Sequence, residues 1–222
     1  DALALMAPCR GTIARVSSAQ LRMIGGRRLR SPQGQGTRPT TARVREALMN
    51  VLAGVMDDAH WLDLFSGSGV MGCEAIQRGA SRVWAVENNA RVAAICRQNL
   101  ELVAASTDEP VEIRVIRKDL IAWLDAGRPE AVKPFTLVYV DPPYASGDHY
   151  KKTLERLLKR NWITADGLVI CEYASELGLE SPSNWAEMDR RRYGTSSLLF
   201  LSPREHCRGG TGSKPPQTDP EG

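Results

Sequence analysis

A glycine-rich turn between an apolar run and a helical stretch constrains the fold of this chain most. The apolar run covers residues 61–65 and the turn residues 66–72, with glycines at 67, 69 and 72 in the spacing G-x-G-x-x-G. Glycines at these positions permit a tight turn, let the backbone approach a ligand closely and place the amides of a helix N-terminus at that ligand. The pattern therefore predicts a strand, a ligand-binding turn and a helix.

Apolar runs and helical stretches then alternate along the chain. Five strands are predicted, at residues 61–65, 82–86, 111–116, 135–140 and 167–172. Four helices are predicted between them, at residues 70–79, 89–103, 119–126 and 148–160. This alternation indicates an α/β fold with a doubly wound, mostly parallel sheet. Two further strands, at 188–193 and 197–201, flank Gly194 and predict an antiparallel pair.

Three carboxylates lie near the ends of the predicted strands. Glu87 follows the second strand, 24 residues after Asp63, where a carboxylate suits the two vicinal hydroxyls of a ribose. Asp119 follows the third strand and can accept a hydrogen bond from an adenine amino group, or cap the next helix, or do both. Asp63 can contact the same ligand or merely brace the glycine turn. These residues fit a nicotinamide dinucleotide or S-adenosylmethionine, because both present an adenosine ribose.

The tetrapeptide Asp141-Pro142-Pro143-Tyr144 directly follows the predicted fourth strand. Prolines cannot donate to a sheet, so the strand ends with a carboxylate, a free carbonyl group and an aromatic ring together, at the edge where ligands bind. Two acceptors side by side complement an NH2 group on a flat base, on which Tyr144 can stack. A Pro-Pro strand exit with an Asp cap also occurs without any such role. Together with the glycine turn, however, the tetrapeptide favours a methyltransferase acting on an amine over a dehydrogenase.

These motifs carry a family resemblance. Residues 62–69 (Leu-Asp-Leu-Phe-Ser-Gly-Ser-Gly), Glu87 and residues 141–144 look like those of class I S-adenosylmethionine-dependent methyltransferases that act on amino groups. Residues 22–26 and 38–48 resemble, more narrowly, the bacterial small-subunit ribosomal RNA guanine-N2 methyltransferases. The likeness spans roughly residues 20–203. It implies a Rossmann-like, seven-stranded, mostly parallel sheet with a closing antiparallel hairpin and a short basic N-terminal extension.

The resemblance also implies roles for individual residues. Asp141, the Pro142 carbonyl group and Tyr144 are expected to be the catalytic residues that hold the target base. S-adenosylmethionine is expected to contact Asp63, Phe65, Gly67, Gly69, Glu87 and Asp119. Within that set, Gly67 and Gly69 are assigned to the methionine end of the cofactor, Glu87 to its ribose and Asp119 to its adenine. A side chain at Gly69 is expected to obstruct the cofactor.

Positive charge is concentrated near the N-terminus. No acidic residue lies between Asp1 and Glu46, whereas nine arginines do, although the formal net charge of the whole chain is only +3. Arginine binds phosphate bidentately and stacks on bases, so the pattern indicates a nucleic acid. Ribosomal RNA, or a small-subunit assembly particle, is expected to contact Arg22, Arg27, Arg28, Arg30, Arg38, Arg43 and Arg45. A solvated basic arm is the alternative.

Four segments are expected along the chain. Residues 1–19 are expected to be a flexible segment or the remnant of a targeting peptide, because they contain serine and arginine and almost no acid. Residues 20–56 are expected to form an RNA-binding extension, with a hairpin at 20–30 and a helix at 41–55. Residues 57–203 are the expected methyltransferase domain, and residues 204–222 a disordered tail.

Composition disfavours several other classes of protein. The five cysteines form no C-x-x-C pair, which indicates a reducing compartment, and the three histidines are scattered, so no metal is expected. No apolar run approaches the roughly 18 residues of a membrane span. We expect a soluble monomer in the cytoplasm, or in an organellar stroma if residues 1–19 are a targeting remnant. A DNA adenine-N6 methyltransferase and a non-catalytic RNA-binding module remain the alternatives.

Overall fold

Seven strands form one sheet in the computed structural model, which describes residues 20–32, 40–143 and 147–204. The strands are β1 (His60–Leu64), β2 (Arg82–Val86), β3 (Glu112–Ile116), β4 (Phe135–Val140), β5 (Ile163–Ala174), β6 (Trp185–Tyr193) and β7 (Ser196–Pro203). Their order in the sheet is β3-β2-β1-β4-β5-β7-β6. β1 to β5 run parallel, whereas β7 is antiparallel to both β5 and β6. The predicted sheet with its closing antiparallel hairpin is confirmed.

Five α-helices within the described residues cover the two faces of this sheet. They are α1 (Ala42–Val51), α2 (Val70–Gln77), α3 (Ala90–Ala104), α4 (Leu120–Asp125) and α5 (Gly147–Lys159). α1, α2 and α3 contribute to one apolar core, and α4 and α5 to the other. Successive residues of a strand point to opposite faces, so Trp61 of β1 packs in the first core and Leu62 and Leu64 in the second. Burial on both faces explains why the central strands are apolar along their length.

The N-terminal segment forms the predicted small hairpin before α1. Arg22 and Arg28 form an antiparallel bridge, and the Met23 N–H group donates to the Arg27 carbonyl group at 2.9 Å. Met23 lies in the same apolar core as α1, α2 and α3. The hairpin therefore shares a core with the sheet instead of packing separately. The expected segment 1–19 and residues 205–222 of the expected tail lie outside the described residues.

β5 begins at Ile163 rather than at the predicted residue 167. Ile163 pairs with Phe135 and Leu168 with Leu137, so a bulge lies between these pairs. Asp166 interrupts the apolar pattern there, and the bulge lets the strand continue across it. None of the described helices has the length and apolar character that crossing a bilayer requires. The same residues contain no cluster of three or more His, Cys, Asp or Glu side chains that could hold a metal ion.

Candidate active site

The carboxyl ends of β1, β2 and β4 lie side by side at one edge of the sheet. The Ser66 N–H group donates to the Val86 carbonyl group at 3.1 Å, and the Asp141 N–H group lies 3.5 Å from the Leu64 carbonyl oxygen. These contacts bring the residues that follow the three strands together. The glycine turn, Glu87 and the Asp141 tetrapeptide therefore share the edge at which open α/β sheets bind ligands.

The turn after β1 depends on residues with positive φ angles. The φ angle is 63° at Phe65, 52° at Gly67 and 75° at Gly69. Glycine adopts such angles without a Cβ clash, whereas Phe65 is strained and is held by its packing against the core of α4 and α5. The Gly69 N–H group donates to the Ser66 carbonyl group at 2.8 Å, which closes the turn before α2.

The three glycines of the motif have different surroundings. A Cβ atom at Gly67 would have no atom within 4 Å. A Cβ atom at Gly69 would lie 2.7 Å from Cys96 Sγ of α3, and one at Gly72 would lie 2.9 Å from the Leu100 side chain. Gly67 therefore faces open space, whereas Gly69 and Gly72 permit close packing of α2 against α3. A side chain at Gly69 would meet α3, and the expected obstruction of the cofactor by such a side chain stays a prediction.

Glu87 connects the end of β2 to the glycine turn. One carboxylate oxygen accepts a hydrogen bond from the Gly67 N–H group at 3.1 Å, and the other accepts from the Asn89 N–H group at 2.8 Å. The side chain is half-buried. Glu87 is thus fixed next to the one glycine of the motif that faces open space, and its contact with a ribose stays a prediction.

Asp119 has the capping role that the sequence left open. Its Oδ1 atom accepts a hydrogen bond from the Ala122 N–H group at 2.9 Å, at the N-terminus of α4. The residue is exposed, and capping uses only one of its two carboxylate oxygens. The adenine contact therefore stays a prediction beside the observed cap.

Asp63 lies beneath the turn. Its exposed fraction is 1%, and its Oδ2 atom has no hydrogen-bond partner among the described residues. Burial raises the pKa of its carboxyl group to about 8; a hydrogen bond from the Gly72 backbone opposes the increase and the charge of Glu87 adds to it. Two roles were predicted for Asp63, contact with the ligand and support of the glycine turn. The structure favours support of the turn, because the buried Asp63 side chain has almost no surface left for direct contact with a ligand.

Replacing Asp63 with asparagine should weaken the pH dependence of stability. The pKa of Asp63 is about 8 in the folded protein and has an ordinary value of 3.8. The folded state binds more protons between these values, so Asp63 lowers the free energy of unfolding as the pH rises through this window, by at most about 1.4 kcal/mol per pH unit. We expect urea unfolding at pH 5 and pH 8 to show a smaller loss of stability for Asp63→Asn than for the wild type. Equal losses would contradict the raised pKa.

Asp141 is half-buried at the end of β4. The Thr40 hydroxyl group donates to Asp141 Oδ2 at 3.5 Å. Burial and the nearby carboxyl groups of Glu172 and Asp63 raise the pKa of Asp141 well above its ordinary value, and the Thr40 hydrogen bond partly offsets them. Pro142 is buried, which fixes the backbone after Asp141. The Asp141 carboxyl group and the Pro142 carbonyl group, which are expected to bind a substrate amine, are therefore both present at the sheet edge.

Two residues near Asp141, Tyr139 and Glu172, were not predicted from the sequence as part of the site. The Tyr139 hydroxyl oxygen lies 3.3 Å from Thr40 Oγ1, and this hydroxyl group donates a hydrogen bond to Glu172 Oε2. Glu172 follows the apolar run of β5, the strand that pairs with β4. A carboxylate at the end of a central strand was a signal available in the sequence, as it was for Glu87.

Arg45 does not belong to the RNA-binding set, so that prediction was wrong. Its exposed fraction is 4%. Its guanidinium group donates to the Thr40 carbonyl group at 2.6 Å and to the Arg22 carbonyl group at 2.7 Å, and it lies 3.7 Å from Glu74 Oε1. Arg45 is therefore a structural residue. It joins three parts of the protein, namely the hairpin, α2 and the segment that precedes α1.

The other described arginines of the set are exposed: Arg22, Arg27, Arg28, Arg30 and Arg43. The backbone of Arg30 exchanges two hydrogen bonds of 2.9 Å with the Asn99 side chain, which also donates to the Ser68 carbonyl group at 2.9 Å. The basic hairpin is thus fixed next to the glycine turn. Arg38 and Tyr144, two further predicted site residues, lie outside the described residues.

Solved structures share this architecture. The Escherichia coli protein yhhF superposes with a TM-score of 0.68 at 33% identity, over 83% of this chain and 98% of that chain. An RNA methyltransferase from Salinibacter ruber, solved in complex with S-adenosyl-L-homocysteine, has a TM-score of 0.56 at 17% identity, over 76% of this chain and 95% of that chain. At the latter identity the likeness concerns the fold alone.

Sequence comparison identifies the family. The ribosomal RNA small subunit methyltransferase D of Escherichia coli strain K12 is 36% identical over 174 residues, which cover 76% of this chain and 83% of that protein. Residues 16–202 match the family described as Conserved hypothetical protein 95. The chain therefore belongs to the Conserved hypothetical protein 95 family and is a homologue of the small-subunit ribosomal RNA methyltransferases that its motifs resemble.

Proposed function

We propose that this protein transfers a methyl group from S-adenosylmethionine to the 2-amino group of a guanine in small-subunit ribosomal RNA. The observation that carries the proposal is the position of Asp141 and Pro142 at the sheet edge next to the glycine turn. A carboxylate and a free carbonyl group there match the two N–H bonds of an amino group. The name of the Escherichia coli relative, a small-subunit ribosomal RNA methyltransferase, supports this choice of substrate.

The residues at this edge fit S-adenosylmethionine. Gly67 combines a positive φ angle with open space in place of a Cβ atom, which gives a cofactor close access to the backbone. Glu87, fixed next to Gly67, is proposed to bind the ribose, and Asp119 the adenine. Phe65 and Gly69 shape the turn. When bound, the sulfonium group of this cofactor supplies an electrophilic methyl group.

Asp141 and the Pro142 carbonyl group are proposed to act on the substrate amine. The lone pair of guanine's 2-amino nitrogen is delocalised into the ring, so the nitrogen is a weak nucleophile. Acceptors for both N–H bonds favour a tetrahedral nitrogen and orient its lone pair. Most of the rate then comes from alignment and electrostatics. The nitrogen gains positive charge as its new bond forms and loses a proton afterwards, so Asp141 orients the amine and stabilises charge. Tyr144 is proposed to stack on the base once it has left its own stack.

A methyl-transfer assay with defined nucleic acids tests the proposal. We expect methyl label from S-adenosylmethionine in small-subunit ribosomal RNA, either free or protein-bound, and nucleoside mass analysis should identify 2-methylguanosine. Label confined to DNA as 6-methyladenine would support a DNA adenine methyltransferase instead. RNA binding without any transfer would support a non-catalytic module. Both of these results would contradict the proposed function.

Removing two hairpin arginines should weaken RNA binding. Arg28 and Arg30 are exposed on the hairpin, where each can neutralise a phosphate. The slope of the logarithm of the RNA-binding constant against the logarithm of the salt concentration should become smaller in magnitude by about one to two in the double variant R28A/R30A. We also expect this variant to bind RNA with lower affinity at low salt. Arg160→Ala is the matched control, since Arg160 is exposed just after α5 and outside the basic hairpin. An equal effect of both changes would contradict a specific role for the hairpin.

A further inference from the structure

We propose that Thr40 is a positioning residue, whose hydroxyl group holds the Asp141 carboxylate in the orientation that accepts the N–H bonds of the substrate amine. This inference deepens the proposed function and rests on it, because it concerns the same amine-binding carboxylate. Thr40 precedes α1 and lies 101 positions before Asp141 in the chain. It therefore brings a segment outside the strand ends to the site.

The Thr40 hydroxyl group makes a direct contact with Asp141. Its Oγ1 atom donates to Asp141 Oδ2 at 3.5 Å. The exposed fraction of Thr40 is 8%, so water competes little for this hydroxyl group. Catalytic hydrogen bonds are often this long before the substrate binds and shorten in the reacting complex. Among the described residues, Thr40 thus supplies the side-chain hydrogen bond that orients the Asp141 carboxyl group.

The contacts of Tyr139 leave the Thr40 proton to Asp141. The Tyr139 hydroxyl group donates its own proton to Glu172 Oε2. Its oxygen lies 3.3 Å from Thr40 Oγ1, where it can act only as an acceptor. An ionised carboxylate accepts a hydrogen bond more strongly than a neutral phenol oxygen does. The single proton of the Thr40 hydroxyl group is therefore directed at Asp141.

Arg45 fixes the backbone of Thr40. Its guanidinium group donates to the Thr40 carbonyl group at 2.6 Å and to the Arg22 carbonyl group of the hairpin at 2.7 Å. The fully buried Glu74 side chain lies 3.7 Å from Arg45 Nε and accepts from the Ile24 N–H group of the hairpin at 2.7 Å. Thr40 and the hairpin that is proposed to bind RNA are therefore held on one buried support.

The surroundings of Asp141 make this hydrogen bond important. Burial and the carboxyl groups of Glu172 and Asp63 raise the pKa of Asp141. The Thr40 hydrogen bond opposes this increase, so it favours the ionised form that accepts N–H bonds. Without the hydroxyl group the carboxylate loses this partner and can turn between staggered χ1 rotamers. Because alignment of the reacting groups contributes much of the rate, such rotation slows methyl transfer.

Single-turnover methyl transfer to small-subunit ribosomal RNA tests the inference with two substitutions. Thr40→Val keeps the shape of the side chain and removes the hydroxyl group, whereas Thr40→Ser keeps the hydroxyl group. At saturating cofactor and RNA, we expect Thr40→Val to lower the rate about tenfold and Thr40→Ser to stay within about threefold of the wild type. The dissociation constants of cofactor and RNA should change by less than about twofold, because only the reacting geometry is altered.

Thr41→Val is the matched control. Thr41 is exposed, and its hydroxyl oxygen accepts a hydrogen bond from the Val44 N–H group at 3.3 Å as the N-cap of α1. Valine cannot make this cap, so we expect a lower urea midpoint of unfolding and an unchanged rate of transfer. An equal loss of rate in Thr41→Val and Thr40→Val would mean that the position of α1 sets the rate, and would overturn the inference.

The orientation of Asp141 can also be measured without methyl transfer. In the cofactor-free protein, the three-bond NMR couplings of the Asp141 carboxyl carbon to its own backbone nitrogen and carbonyl carbon report the χ1 rotamer. We expect one rotamer in the wild type and in Thr40→Ser, and averaged couplings in Thr40→Val. If thermal unfolding shows that Thr40→Val has lost its fold, Thr40→Ala removes the same hydroxyl group.

The remaining outcomes separate this inference from the proposed function. Unchanged couplings in Thr40→Val, or a loss of rate in Thr40→Ser equal to that in Thr40→Val, would overturn the positioning role. An Asp141 rotamer that depends on Thr40, in a protein that labels only DNA, would refute the proposed guanine methylation alone. Guanine methylation at the wild-type rate in Thr40→Val would refute the positioning role alone.

Discussion

An Asp141→Ala variant is expected to lose methyl transfer and still bind S-adenosylmethionine with nearly wild-type affinity. The change removes the carboxylate that orients the amine, and the loss of one such preorganised group lowers kcat by about a hundredfold to a thousandfold. The hydrogen bond between Glu87 and the Gly67 backbone, next to the proposed cofactor position, does not involve Asp141. Single-turnover methyl transfer and calorimetric titration with the cofactor measure the two quantities separately.

Asp166→Ala is the control for this experiment. Asp166 is exposed near the start of β5, at the opposite end of the strand from Glu172, and its removal should change neither quantity. A large loss of cofactor affinity in Asp141→Ala would show that Asp141 belongs to the cofactor site. Retained methyl transfer would remove Asp141 from catalysis.

Gly69→Ala is expected to lower the free energy of unfolding by about 2–4 kcal/mol, the sum of a backbone cost and a packing cost. The φ angle of 75° is unfavourable for any residue with a Cβ atom. The new Cβ atom would also lie 2.7 Å from Cys96 Sγ and 3.5 Å from Cys96 Cα. Cys96 is fully buried on α3, so the helix itself must shift to relieve the overlap. Urea denaturation with linear extrapolation measures the effect.

Gly127→Ala separates the two costs. Gly127 has a similar φ angle of 81°, and a Cβ atom there would have no atom within 4 Å. This control should therefore lose only the backbone cost, on the order of 1–2 kcal/mol. An equal loss of stability in both variants would mean that α3 accommodates the new atom freely, contrary to the packing role assigned to Gly69.

The strands and the glycine turn could be predicted because their signals are local. Residues 61–65 and 135–140 are apolar runs of strand length, and burial on both faces of the sheet accounts for that composition. The turn likewise follows from spacing, since glycine supplies the positive φ angles at positions 67 and 69. The position of Asp141 at the end of β4 could also be predicted from the sequence, because the two prolines that follow it end the strand.

The contacts of Arg45, Glu172 and Gly69 could not be predicted, because each joins residues that are distant in the chain. Arg45 has the same chemistry as the exposed arginines, and only its contacts with the hairpin and with Glu74 distinguish it. Glu172 acquires its relation to Asp141 through the pairing of β4 with β5. Gly67 and Gly69 become distinct only once α3 packs against one of them.

The N-terminal hairpin is synthesised before the residues that hold it. The Ile24 backbone is anchored on Glu74, 50 positions later in the chain, and that of Arg30 on Asn99, 69 positions later. During translation the hairpin therefore cannot make both of these contacts until α3 has emerged from the exit tunnel. Contacts between such distant positions form slowly compared with local ones. The basic segment is thus made first among the described elements, yet its contacts are complete only after β1, α2, β2 and α3 have been made.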